Sequence, residues 1–388
     1  MKIVNLLFTF AEYFHTLMGQ FLLILLYSFV TVIIIQIIYY LIIFGKFSFA
    51  NFEGKKHLNI PISVIVCAKN EVENVKKYVP LILSQNYPNF EIVLIDDASS
   101  DETLEIFEDF EKNYANIKLV KVKNNEAFWG NKKFALTLGI KAATHNNLLF
   151  IDADCYPDSD NWISEMSSSF SEEKTIVLGY GAYEKVENSF LSKLIRFETL
   201  LTATQYFSWA KLGKAYMGVG RNLAYKRDEF FNANGFIEHM KIRSGDDDLL
   251  INQISNSKNT AINFNPESIT FSRSKGSFKD WIMQKRRHIS TAKHYKWFDK
   301  FQLGVFFSSQ FLFILLSILL LSFQYQWIIV VALIAIRYII SSISLSYSAA
   351  KLYEKDIMYY YPFLEIILIL TQLTLFFRNI FSKPVHWK

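Results

Sequence analysis

Cysteine is scarce in this chain: Cys67 and Cys155 are the only two in 388 residues, and neither belongs to a CxxC pair. That pattern excludes a disulfide framework. The seven histidines show no ligand spacing, so nothing points to a zinc site. No internal repeat or low-complexity stretch divides the chain. An excess of one charge is also missing, with 41 Lys or Arg against 36 Asp or Glu. So small a balance, without a nucleic-acid motif, leaves nucleic acid out of the expected partners.

Apolar residues are plentiful. With 51% hydrophobic and 16% aromatic residues, the chain is too apolar to be purely soluble. Phe21 to Phe44 is a run of 24 residues broken only by Gln36 and a few hydroxyls. At 1.5 Å per residue it reaches about 36 Å, enough for a tilted bilayer crossing. It is too long for a cleavable signal peptide, and no small-residue cleavage site follows. A transmembrane helix is therefore expected over 21–44, preceded by an interfacial segment over 1–20. Three further apolar segments lie within 303–377: Leu303–Phe323, Trp327–Tyr347 and Ile357–Phe377. The first two are joined by a link short enough for a helical hairpin. Arg337 falls inside the second. A buried arginine there marks a bundle interior or a substrate path, unless the segment is shallow or re-entrant.

Orientation follows the basic residues. Only Lys2 precedes the first helix, while Lys46, Lys55 and Lys56 follow it, so the middle of the chain is expected to face the cytoplasm. Three later crossings would put Arg378, Lys383 and Lys388 on the opposite side, against the same rule. The number of C-terminal crossings stays open. Between Arg273 and Lys300 nine Lys or Arg accompany two Asp, a density that suits lipid headgroups or a phosphorylated substrate. The stretch 271–300 is expected to form basic amphipathic helices at the interface.

The middle, 60–270, alternates strand and helix patterns. β-Branched runs at 62–68, 91–95, 117–122 and 148–151 read as strands; 73–85, 101–114 and 132–143 read as helices. That alternation predicts an α/β domain with a mostly parallel sheet. Its acidic clusters fall where strands end: Asn70-Glu71, Asp96-Asp97 and Asp152-Ala153-Asp154. Open α/β sheets build their ligand crevice there. Carboxylates gathered in one crevice repel each other unless a cation joins them. Magnesium-type ions take oxygen ligands and substrate phosphates together. A turn after Asp152, with Pro157 nearby, would let Asp152 and Asp154 serve one site.

Each cluster also has a plain structural reading. Asp96–Asp101 is equally a turn and helix cap, and Lys132-Lys133 an exposed first turn, although a cation beside free helix amides favours phosphate. Asp246-Asp247-Asp248 is equally a capped helix start. Its functional reading is a general base, ionised at neutral pH from a reference pKa near 3.9. Arg286 and Arg287 would hold a diphosphate or simply touch headgroups.

Taken as an ordered set, these residues resemble family 2 glycosyltransferases. Ile62–Glu71, then Ile95-Asp96-Asp97-Ala98-Ser99 and Asp101, resembles that family's opening. Lys132 with Ala135-Leu136, Asp152-Ala153-Asp154 and Gly218–Ala224 resemble its lysine, its DxD and its acceptor-side glycine segment. Asp246-Asp247 stands where the family has Glu-Asp, and Gln284–His288 where processive members have QxxRW. The resemblance implies a GT-A fold over 60–270 flanked by transmembrane helices, a nucleotide-sugar donor, and Mg2+ or Mn2+. It implies inversion at the anomeric carbon with Asp247 as base and Asp246 beside it. Asn70, Glu71, Asp97, Lys132 and Asp152 would bind the donor, Asp154 the metal, and Gln284, Arg287 and His288 the diphosphate or acceptor. The acceptor would be lipid-linked or a glycan, and the setting a bacterial inner membrane with the catalytic domain cytoplasmic. His288 in place of tryptophan, Asp246 in place of glutamate and only three C-terminal segments weigh against chain polymerisation. The alternatives are a processive polysaccharide synthase threading its product past Arg337, and a non-catalytic nucleotide-sugar sensor.

Overall fold

A computed structural model describes residues 2–52, 59–123, 132–242 and 244–381. Lys55, Lys56, Lys383 and Lys388, on which the orientation argument draws, lie outside the described residues.

The β-branched runs at 62–68, 91–95 and 148–151 become strands because they are buried on both faces, as a central parallel sheet demands, whereas 117–121 is a partly buried edge strand. Among the described residues ten strands form: β1 (Ile62–Ala68), β2 (Phe90–Asp96), β3 (Ile117–Lys121), β4 (Asn147–Asp152), β5 (Cys155–Pro157), β6 (Ile176–Leu178), β7 (Gly181–Tyr183), β8 (Leu223–Lys226), β9 (Thr260–Ile262) and β10 (Thr270–Ser272). Seven of them build the main sheet in the order β3-β2-β1-β4-β8-β6-β9. The β1–β4 core is parallel throughout; β8 runs antiparallel between β4 and β6. A small second sheet, β5-β10-β7, closes over one end.

Alternate residues of β1 separate two cores. Val64 and Val66 pack with Val75, Val79 and Trp162 on one face, whereas Ile65 packs with Ala135, Leu136 and Ile140 on the other. Helix Lys132–Ala142 lies unusually close to the sheet. A Cβ at Gly139 would stand 2.1 Å from Ile95 Cδ1, so only glycine permits that approach.

The second core does not stop at the domain edge. Helix Phe190–Lys211, which the sequence reading did not anticipate, is buried along most of its length. It lies between the sheet and the apolar helices: Phe207 meets Phe47 with ring centroids 5.0 Å apart, and Phe197 meets Tyr361 at 5.8 Å. Catalytic-type domain and apolar bundle thus share one core.

Among the described residues four helices are long and apolar enough to cross a membrane: Thr16–Ser48, Trp297–Ser322, Trp327–Lys351 and Lys355–Asn379. The first belongs to a continuous helix that begins at Lys2 and passes through a π-turn at Ile38–Ile43. The hairpin forms as expected, with Gln324 and Gln326 taking left-handed φ of 51° and 46° in its turn. Arg337 is 1% exposed and faces the bundle interior. Its guanidinium forms two 2.6 Å bonds to the Glu365 carboxylate and further bonds to Tyr361, Tyr40 and Gln36. A guanidinium so occupied is a tie between three helices, not a group turned toward a passage.

Candidate active site

Parallel strands that end in register deliver their following residues to one place. Ala68 pairs with Asp96 and Cys67 with Asp152, so the loops after β1, β2 and β4 meet at one edge. The loop after β1 is fastened to the loop after β2: Asn70 accepts from Ser100 N at 2.8 Å, and Glu71 N donates to Thr103 Oγ1 at 2.9 Å. Asn70 and Ala98 both take left-handed φ, 57° and 53°, in making these turns. Asp96 is buried and accepts from Ser99 N at 3.3 Å, so it holds the turn. Asp97 lies half-buried toward the cleft; burial, offset by Lys69, raises its pKa. Glu71 is also raised by burial and accepts from Asn74 Nδ2 at 2.6 Å.

After β4 the chain turns at Ala153-Asp154 before entering β5. That turn folds Asp154 back toward Asp152, and donor atoms of Asp152, Asp154 and Cys155 all lie within 4.8 Å of one another. Two carboxylates at this separation fit a hard divalent cation that takes its remaining ligands from phosphate and water. Cys155 is buried, and burial drives its thiol well above the ordinary range.

Lys132 reaches into the same cleft. Its ammonium is 2.7 Å from Asp152 Oδ1 and 3.2 Å from Asp246 Oδ2. Lys133, read with Lys132 as an exposed first turn or a cation beside a phosphate, turns into the protein and donates to the carbonyls of His239, Ile242 and Ser244.

The three aspartates at 246–248 have three different fates. Gly245, at φ +90°, brings the chain round into them. Burial works against ionisation of Asp246, but Lys132 overrides it and lowers the pKa. Asp247 caps helix Asp248–Ile254 and accepts from Gly220 N and Asp248 N, each at 2.7 Å. Burial, then the charges of Asp246 and Asp248, push Asp247 up to about 7. The sequence expectation of an unperturbed aspartate is therefore corrected: neighbouring carboxylates and desolvation outweigh the two amide bonds. Asp248 points away, accepting from Thr291 Oγ1 and Tyr295 OH, and so anchors helix Phe278–Ala292.

On that helix Gln284 and Arg287 are half-buried and His288 is exposed, with Arg221 and Asp246 among the charges acting on its ring. Lys285 pairs with Glu198, and Arg286 donates to Asn379 Oδ1 at 2.9 Å, fixing the helix against both domain and bundle.

Arg221 escaped the sequence reading, which saw only the glycines around it. Its guanidinium lies 4.2 Å over the Tyr183 ring and donates to Ser272 Oγ at 2.8 Å. Asp154 and Asp152 are among the charges that raise its pKa. The adjoining Asn222, fully buried, holds the segment by donating to Tyr180 O and Ser268 O. A basic residue inside an otherwise apolar glycine segment was the available signal.

Residues 63–235 match the family model described as glycosyl transferase family 2. A poly-beta-1,6-N-acetyl-D-glucosamine synthase of Staphylococcus epidermidis is 39% identical over 99 residues, 26% of this chain and 23% of that one. A dolichyl N-acetyl-alpha-D-glucosaminyl phosphate 3-beta-D-2,3-diacetamido-2,3-dideoxy-beta-D-glucuronosyltransferase of Methanococcus voltae is 27% identical over 159 residues, 39% of this chain and 49% of that one. The matches thus span about a quarter to a half of these relatives. In three dimensions the chain resembles a mannosyltransferase from Pyrobaculum calidifontis solved with GDP-Man and Mn2+. The TM-score is 0.57 at 15% identity, covering 90% of this chain and 97% of that one, a likeness of fold. Residues 63–235, which carry the strand-end carboxylates of β2 and β4, thus match a glycosyl transferase family 2 domain, and the sheet shares its GT-A fold with that mannosyltransferase.

Proposed function

We propose that the protein is a membrane-bound inverting glycosyltransferase that moves a sugar from a nucleotide-sugar donor to a lipid-linked acceptor. The observation that carries this reading is the pairing of Asp247 with the carboxylate cluster at the end of β4. Asp247 is fixed by the amides of Gly220 and Asp248. Lys132 links Asp152 to Asp246, its chain neighbour. Asp247 is the general base, taking the proton of an acceptor hydroxyl. That oxygen bonds to the anomeric carbon while the bond from carbon to the nucleotide diphosphate breaks, with inversion. Asp97, Asn70, Glu71 and Asp152 receive the donor, and Gln284, Arg287 and His288 border the diphosphate and acceptor. A divalent cation at Asp154 and Asp152 would neutralise charge on the departing diphosphate.

The shared core between domain and apolar bundle supports a membrane-held acceptor, and the Methanococcus relative is named for a dolichyl phosphate substrate. The cytoplasmic placement of the domain in a bacterial inner membrane belongs to the same proposal. The Staphylococcus relative favours a second reading, a processive synthase. The closed ion pair of Arg337 disfavours a product path at that point. Product length separates the two.

The test is nucleotide release from a panel of sugar donors by membranes carrying wild type or Asp247→Asn, with and without Mn2+ or Mg2+. Cation-dependent release from one donor, lost in the variant, supports the transferase. Nucleotide binding without any release across donors and acceptors supports a sensor instead.

A further inference from the structure

Lys133 stands apart from the machinery just described, and nothing in the proposed reaction uses it. Its side chain is buried at 1% exposure. A buried ammonium is costly unless each of its three donors is satisfied. Here all three requirements are met by backbone carbonyls: His239 O at 2.8 Å, Ile242 O at 2.9 Å and Ser244 O at 2.9 Å. None of these acceptors comes from its own helix or from the sheet. All come from one short stretch, which opens with the 3-10 turn Ile237–His239. That stretch runs directly into Gly245, Asp246 and Asp247.

The geometry has a direct consequence. Three carbonyls that converge on one cation fix the direction of the chain leaving Ser244. Gly245 then adopts φ +90° and delivers Asp246 and Asp247 to the cleft. The residue just before Lys133 holds the other end of the same stretch, because Lys132 pairs with the Asp246 side chain at 3.2 Å. Two successive residues at the start of one helix therefore grip the acidic stretch, one by backbone and one by side chain. Gly139 contributes by letting that helix lie against Ile95.

We infer that Lys133 is a positioning residue, a built-in cation whose three carbonyl contacts set the place of the Asp246-Asp247 pair. The catalytic part of this inference rests on the reading of Asp247 as general base; the structural part does not. A base displaced by about 1 Å loses on the order of 100-fold in rate, so backbone placement here governs turnover more than donor affinity.

The experiment uses the full-length protein in detergent, comparing wild type with Lys133→Met, which keeps length and loses the charge. Amide hydrogen exchange is followed over 237–247 and over β1 and β2. The expected result is exchange at least about tenfold faster in 237–247 with the strands unchanged, the mark of local rather than global opening. Donor turnover should fall at least about tenfold in kcat while KM for the donor stays within about threefold. Unchanged exchange in 237–247 overturns the inference, whatever happens to activity. So does a matched loss in exchange protection throughout the domain, if Lys133→Gln, which retains two N–H donors, shows the same uniform loss. Local loosening in a protein whose wild type releases no nucleotide from any donor would sustain the structural role and defeat the transferase reading.

Discussion

Lys132 lies 2.7 Å from Asp152 and 3.2 Å from Asp246, so a single ammonium joins a strand-end carboxylate to the acidic stretch across the cleft. Without a ligand, this contact balances charges that would otherwise face one another unscreened. It also means that a diphosphate entering the cleft competes with two carboxylates for the same cation.

Lys132→Met is expected to cut donor turnover at least about tenfold, since one charge-assisted contact is worth roughly 1.5–3 kcal/mol. Asp246 should titrate higher, because Lys132 is what overrides its burial. Isothermal titration with nucleotide and a pH profile of turnover would check both. A wild-type profile in the variant would remove Lys132 from the site.

Asp247 is raised to about 7 by burial and by Asp246 and Asp248. A general base works in its ionised form, so kcat/KM should climb with pH through about 7 and level off above it. Asp247→Asn should lose at least about 100-fold and flatten that limb, with donor binding retained. Steady-state rates between pH 5 and 9 give the answer. A flat wild-type profile would assign the proton to another group.

Asp154→Asn should weaken nucleotide binding in the presence of Mn2+ or Mg2+ and leave cation-free binding unchanged. Calorimetry with and without the cation separates these effects. An equal response to the cation in both proteins would move the ligand role off Asp154.

Gly139→Ala places a methyl 2.1 Å from Ile95 Cδ1. Overpacking of this kind costs about 1–3 kcal/mol and shifts the helix that carries Lys132 and Lys133. A lower Tm accompanied by lower turnover is expected. Lower Tm with full activity would show that the helix tolerates the shift.

Arg337 and Glu365 form a pair exposed by 1% and 2%. Removing one partner should destabilise the protein by about 3–5 kcal/mol, whereas the double replacement Arg337→Met with Glu365→Leu should recover most of it. Unfolding midpoints in detergent for the single and double variants test the non-additivity.

Much of this was legible from residue order. The strands of 62–152 announce themselves because a fully buried parallel strand must be an uninterrupted β-branched run, and the carboxylates after them sit at predictable ends. The roles of neighbours within a cluster were not. Lys132 and Lys133 are adjacent and identical in type, and only the helix phase sends one to carboxylates and the other to carbonyls. Nor could sequence show that Asp248 turns away to Thr291 and Tyr295, more than 40 residues on, or that Asp247 is crowded into a higher pKa. Helix Phe190–Lys211 was hidden for a different reason. Buried on nearly all sides, it has no amphipathic period to read.

The bond between Arg337 and Glu365 also bears on how the chain is made. Arg337 precedes its counter-charge by 28 residues, and the intervening span holds the end of its own helix and the 3-10 turn Lys355–Tyr360. Before Glu365 follows, the partners already made include Gln36, Tyr40 and the ring of Phe313. In a bilayer an arginine without its counter-charge is costly, so the helices that carry Gln36, Arg337 and Glu365 are expected to pack together as they insert.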